Sequence, residues 1–323
     1  VPPVAIHAIA QDKKTGALVL GTHGRGVIII DDIALLRQLS PEMQTSEFAF
    51  LKTDPMVIPE RTAFTHWEGD FTDFVGKNPK RVGKIAYYMK KRHLFGKMTL
   101  HIEDENGSIV ATLNPTKAKG LNIVYWDFRR PPPKVAQGKT FVFSALQGPV
   151  VPAGRYYAVM KKGKKTYRMP FEVRYPDDSP HSPQDRKAHQ ELVMKLYDLQ
   201  QQLAYLVYQL DEYSKALDQC QIVESKRQSW KQQANALRDQ CVVQRGDNYV
   251  GRDKPRLREK LADLYGDVAS YPGKPTGAQY RHYDKLYNQW KTLQKVWKEL
   301  KSKYSTFCTP PTLKSYSDFI QEK

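Results

Sequence analysis

No apolar run in this sequence approaches the ~20 residues that a membrane-spanning helix requires, so no transmembrane segment is expected. Cysteine is scarce: Cys220, Cys241 and Cys308 are the three present. They show no C-x-x-C spacing, and at most one disulfide can form within the chain, so counting leaves the redox compartment open. Cys220 and Cys241 fall on apolar helix faces and are expected as buried thiols rather than ligands. The eight histidines form no H-E-x-x-H or comparable zinc pattern. There is no G-x-S-x-G elbow. No metal, no cofactor and no catalytic constellation is therefore expected. A signal peptide is also lacking. But the chain opens VPPVAIHAIA, already in strand-like alternation and without Met, and reads as a piece of a longer one, so that lack excludes nothing.

Acidic residues are outnumbered. Lys and Arg total 51 against 34 Asp and Glu, a formal charge of +17. Such a balance suits nucleic acid, an anionic glycan or lipid surface, or an acidic protein. The basic residues are spread along the chain, with dense runs at KNPKR (Lys77–Arg81) and KKGKK (Lys161–Lys165). No aromatic residues interleave with them in an RNA-binding motif, so a nucleic-acid partner is not expected. With 323 residues, 40% of them hydrophobic, there is material for two or three cored domains.

The stretch GTHGRG (Gly21–Gly26) follows an apolar strand, where many proteins hold a phosphate. A phosphate loop needs a helix next, whose N-terminus supplies the donors. Here VIIIDD follows, and a β-branched run is a strand. There is also no Lys-Ser/Thr pair. The glycines instead predict a hairpin, with Gly24 and Gly26 at positive φ and Gly21 allowing a bulge or close approach. His23 and Arg25 project from that turn and are the candidate interaction residues; support of the turn is the competing role. Asp31 and Asp32 close the strand with side chains on opposite faces, which makes them poor partners for two-carboxylate chemistry.

Three regions follow one another. Residues 1–46 read as strands and a connector: Val4–Asp12, a turn at Lys14–Gly16, Ala17–Thr22 and Val27–Asp32. Such a meander cannot bury both faces alone. Residues 47–176 read as an immunoglobulin-like β-sandwich, with strands over Gly83–Lys91, Met98–Asp104, Ile109–Leu113, Gly120–Phe128 and two within Ala153–Tyr175. Asn106-Gly107 suggests a type I′ hairpin. The proline-rich Arg129–Thr140 is expected on the surface. Residues 177–323 read as an antiparallel four-helix bundle with a tail. The first helix is capped by Ser182-Pro183-Gln184-Asp185 and carries Leu192, Leu196, Leu199, Leu203, Leu206, Leu210, Tyr213 and Leu217. A second holds Trp230, Ala234, Leu237 and Cys241, and a third Leu257, Leu261, Leu264 and Val268. The fourth starts at a Thr276–Gln279 capping box, and its stripe, Tyr280, Tyr283, Tyr287, Trp290, Leu293, Val296, Leu300 and Tyr304, is expected in the core.

TGALVLGTHGRGVIIIDD resembles the end of the last blade in a family of large β-propellers with sortilin-type or sialidase-like BNR repeats. GLNIVYWDFRRPPP…VPAGRYYAVMKKGKKTYRMPFEV is similar to the immunoglobulin-like module that follows there, and to the flagellar hook-capping sandwich. LREKLADLYGDVASYPGKPTGAQYRHYDKL is similar to that family's closing helices. The resemblance implies the C-terminal portion of an exported bacterial protein, of the type IX secretion kind found in Bacteroidota, located extracellularly or in the cell envelope. It also implies protein partners in a surface or secreted assembly, and the N-terminal propeller portion of the same protein as a neighbour. The family's glycosyl hydrolase label does not carry over, because a propeller site is built by many blades around an axis. Two alternatives stay open: part of a sialidase-like glycoside hydrolase whose site lies in other blades, and an electrostatic binder of anionic polymer.

Overall fold

Mixed β and α structure runs through the computed structural model, which describes residues 2–12, 16–30, 33–60, 82–244 and 254–322. By contacts the chain divides into two units. One comprises 1–128 and 153–177; the other comprises 129–152 and 178–323.

The first unit opens on an antiparallel meander, β1 (Ile6–Gln11), β2 (Leu18–Thr22) and β3 (Val27–Ile30). Two short helices follow, α1 (Ala34–Arg37) and α2 (Pro41–Thr45). Leu35 of α1 packs with Leu51 and Ala86. The remaining strands form two sheets. One has the order β4 (Phe48–Phe50), β6 (Gly83–Met89), β9 (Gly120–Trp126). The other runs β5 (Met56–Val57), β11 (Lys165–Arg174), β10 (Gly154–Lys162), β7 (Met98–Glu103), β8 (Ile109–Leu113). Alternating apolar residues face inward from both, as in β7, where Met98, Leu100 and Ile102 are buried. Across the seam, Trp126 lies 5.9 Å from Tyr156 and 6.1 Å from Phe171, and Phe48 lies 4.4 Å from Tyr167. Phe128 takes a φ of +61°, costly for a bulky residue. Its burial against Trp126, ring to ring at 5.4 Å, holds it there.

The β7–β8 turn differs from the expected type I′. Only Gly107 of the pair takes positive φ (+79°), and Asp104 Oδ1 accepts the N–H groups of Asn106 (3.0 Å) and Ser108 (2.9 Å). The aspartate fixes a longer turn than type I′, closed from Asp104 to Ser108 with Gly107 in the bulge position, a geometry the Asn-Gly pair alone does not foretell.

In the second unit the long helices are α3 (Pro183–Asp218), α4 (Glu224–Cys241), α5 (Leu257–Ala269) and α6 (Gly277–Ser305), followed by the short α7 (Tyr316–Gln321). Ser182 Oγ accepts the Asp185 N–H (3.1 Å), and Thr276 with Gln279 forms the expected capping box. Every α3 residue predicted for the core is buried. In α6, Trp290, Leu293, Leu300 and Tyr304 are buried as expected, and the rest of the stripe is displaced. Leu286 and Trp297 are buried, whereas Tyr280, Tyr287 and Val296 are exposed. The Trp297 indole donates to Gln209 Oε1 (2.8 Å), which lets the larger ring take the inner place. Phe319 brings α7 into the same core.

Two further corrections concern this unit. Cys220 is no thiol: it forms a disulfide with Cys308, Cα to Cα 6.1 Å, while Cys241 is free and buried. The proline-rich segment is not merely a surface excursion. Ala136 enters the helical core, and Lys139 N–H donates to Val243 O (2.9 Å). Thr140 Oγ1 donates to Glu259 Oε1 (2.8 Å), and Arg258 Nη2 donates to Thr140 O (2.6 Å). Farther along, the Tyr265 hydroxyl donates to Gln147 O (2.8 Å).

Candidate functional site

The β2–β3 turn is the hairpin that the glycines predict. Thr22 closes it twice, donating to Gly26 O through its N–H (3.0 Å) and its hydroxyl (2.7 Å). Gly24 (φ +77°) and Gly26 (φ +66°) adopt the left-handed conformation that side chains resist. A β-carbon on Gly21 would meet Ala8 Cβ at 3.4 Å, an ordinary contact. The register shift lies opposite, in β1 between Ile6 and Ala8.

His23 and Arg25 both project from this turn into solvent. His23 N–H is tied to Ala5 O (3.0 Å), and its ring lies 5.5 Å from that of His7. The structure thus brings His7 beside His23, a neighbour that sequence spacing does not reveal; β1–β2 pairing creates it. Asp31, Asp32 and the KNPKR run lie outside the described residues, as do Lys14 and Thr15 of the first expected turn. Among the described residues, no group of three or more His, Cys, Asp or Glu side chains could hold a metal ion.

What distinguishes this region is its apolar surface. Cross-strand partners share a face, so Ile9, Leu20 and Ile28 lie on one side. Ala8, Gly21 and Val27, with Ala10, Val19 and Ile29, lie on the other. Only Leu20 of these is buried; Ile9 is 66% exposed, Val27 64% and Ile29 60%. A sheet apolar on both sides is one composed for burial between two layers.

Elsewhere the strongest polar cluster is structural. Arg258 and Glu259 are both buried, paired at 2.9 Å, and share Thr140. Burial lowers the Arg258 pKa, and Glu259 opposes that shift. Desolvation likewise pushes the Cys241 thiol up to about 12, which removes it as a nucleophile. A loop missed by motif reading, Lys90–Lys97, carries Leu94 and Phe95 exposed among basic residues. Its signal was present as two large apolar residues set between cations and closed by glycine.

No known family matches this chain by sequence, and no curated protein matches it. Among solved structures it shows a likeness to PorZ, described as an essential bacterial surface component of the type-IX secretion system of Porphyromonas gingivalis. The identity is 14% and the TM-score 0.20, over 52% of this chain and 16% of that one. At those values the likeness carries no argument. No described helix is long and apolar enough to cross a membrane.

Proposed function

We propose that this chain is a non-catalytic interaction and scaffold segment of a larger exported protein, serving a bacterial surface or secreted assembly. The observation that carries the proposal is the β1–β3 meander, apolar on both faces with Ile9, Val27 and Ile29 left in water. In this proposal the meander is the closing part of a propeller blade (1–46). Residues 47–176 are an immunoglobulin-like sandwich. Residues 177–323 are an antiparallel four-helix bundle with a tail, which takes up the 129–152 segment from the sandwich stretch of the sequence. His23 and Arg25 stand at the rim of the interacting surface, where polar side chains set orientation. The Cys220–Cys308 disulfide supports an oxidising, extracytoplasmic location.

Affinity isolation of the intact protein from the envelope of a producing cell tests this. Defined partners in fixed ratio are expected. An intact protein that elutes alone, and turns over a glycan panel, would sink the proposal.

A further inference from the structure

The loop from β6 to β7, KKRHLFGK (90–97), passes from one sheet of the first unit to the other. Its tip places two large apolar side chains in water, Leu94 at 64% and Phe95 at 86% exposure. Gly96, with φ +92°, makes the turn. Neighbouring connections close on the loop's base. His93 N–H donates to Lys117 O (3.1 Å), and Gly163 N–H to Lys97 O (3.4 Å). Strand register agrees: Met89 pairs with Gly120, and Lys162 with Met98.

One end of the two sheets thereby gathers the basic residues of three connections: Lys90–Arg92 with Lys97, Lys117 with Lys119, and the Lys161–Lys165 hairpin. The carboxylate described beside them is Glu47, already held by Lys162 (2.6 Å) and Lys165 (2.5 Å). The acidic Glu103, Asp104 and Glu105 sit at the opposite end of β7. So the charge is asymmetric, and the apolar tip emerges from the cationic end.

We propose that this end docks on an anionic phospholipid surface, with Leu94 and Phe95 inserted below the headgroups and the surrounding lysines and Arg92 on the phosphates. A polysaccharide would match the cations and could stack a sugar face on Phe95, but it has no hydrocarbon interior to take Leu94 as well. Two side chains on one loop are far short of the roughly 800 Å² per partner of a stable protein interface. A shallow wedge ringed by cations is what interfacial binding uses, with apolar burial and headgroup attraction adding. The docking is peripheral and independent of what covers the β1–β3 meander.

Sedimentation of the full chain with vesicles tests it, comparing phosphatidylcholine alone with phosphatidylcholine containing about a third phosphatidylglycerol, a composition with the negative surface potential that draws basic segments. Binding is expected only to the anionic vesicles and should weaken as salt rises. Leu94→Ser with Phe95→Ser should lower partition about tenfold or more, from lost apolar burial. Lys91→Glu with Lys97→Glu should lower it by about fivefold or more per residue. Arg155→Glu with Arg174→Glu, exposed at the opposite end of the same sheet, keeps the same net charge as that pair and should change little. All three pairs are surface changes, and unaltered thermal melting checks the fold. The proposal is overturned by absent binding to anionic vesicles, by equal loss in the arginine variant, or by indifference to the serine pair. Binding to heparin that ignores the serine pair, without vesicle binding, would assign the patch to a polysaccharide instead.

Discussion

The β1–β3 meander and the helices α3–α7 treat similar side chains in opposite ways. In the helices, apolar residues repeat at helical spacing and each long stripe finds another. Leu196, Leu210, Leu217, Leu257 and Tyr304 are shut away from water. The meander has Ile6, Ile9, Val27 and Ile29 on its two outer strands, and all four remain exposed. Composition does not separate the two regions; closure does. A helix buries one stripe and can be satisfied by a few neighbours in the same chain. A short sheet that is apolar on both faces needs a layer on each side. The helical unit buries its own apolar stripes, whereas the described meander leaves most of its large apolar side chains in water.

The largest expected effect breaks the self-sufficient side. Arg258→Ala leaves Glu259 buried without its cation and removes two bonds to Thr140. Unfolding in urea should show a loss of about 3–5 kcal/mol, the usual cost of orphaning one member of a buried pair. A change below ~1 kcal/mol, the value of a surface pair, would mean water reaches the pair.

Next is the Cys220–Cys308 link, which spans a sequence separation of 88 residues. Replacing both with serine should cost about 2–4 kcal/mol, chiefly by freeing the unfolded chain. Under native, non-reducing conditions a thiol reagent should find no reactive group, since Cys241 is buried with its pKa raised. Rapid labelling of the native protein would contradict both points.

A smaller effect depends on pH. Burial lowers the His189 pKa below its ordinary 6.5, with Arg186 and His181 acting in the same direction, against the hydrogen bond to Val268 O (2.9 Å). The folded state thus disfavours the charged ring. Its contribution is complete above the unfolded value near 6.5 and declines as pH falls through that value toward the lowered folded one. Stability measured from pH 7.5 down to 5 should fall, and His189→Gln should flatten the profile. An unchanged slope would place the sensitivity elsewhere.

Much of this contrast was legible in sequence where the interaction is local. Ser182 with Asp185 and Thr276 with Gln279 mark helix starts within four residues, and the α3 leucines lie on one face by spacing alone. Sequence was less informative on α6, where two apolar stripes run side by side. Tyr287 and Val296 compete with Leu286 and Trp297, and the outcome turns on Gln209, which lies far away on α3. The Cys220–Cys308 pairing and the attachment of Thr140 to Arg258 are long-range as well; no local pattern encodes them. At the β2–β3 turn, the glycines foretold the hairpin, whereas the placement of His7 beside His23 follows from strand pairing.

The smallest expected effect is the most instructive about the comparison. Ile9→Thr and Ile29→Thr keep a β-branched side chain, so strand preference is preserved while apolar character is lost. Ile9 and Ile29 lie on opposite faces, in different strands, so each reports on one side of the sheet. In this chain each should change stability by less than about 0.5 kcal/mol, as surface substitutions do. A buried isoleucine, by contrast, loses its transfer free energy when made polar, about 1.5–3 kcal/mol. If the meander is built for cover, as the scaffold proposal holds, the same two substitutions made with the covering layer present should cost that larger amount. Equal and small effects in both settings would leave the exposed isoleucines without a partner, and would remove the observation on which the scaffold proposal stands.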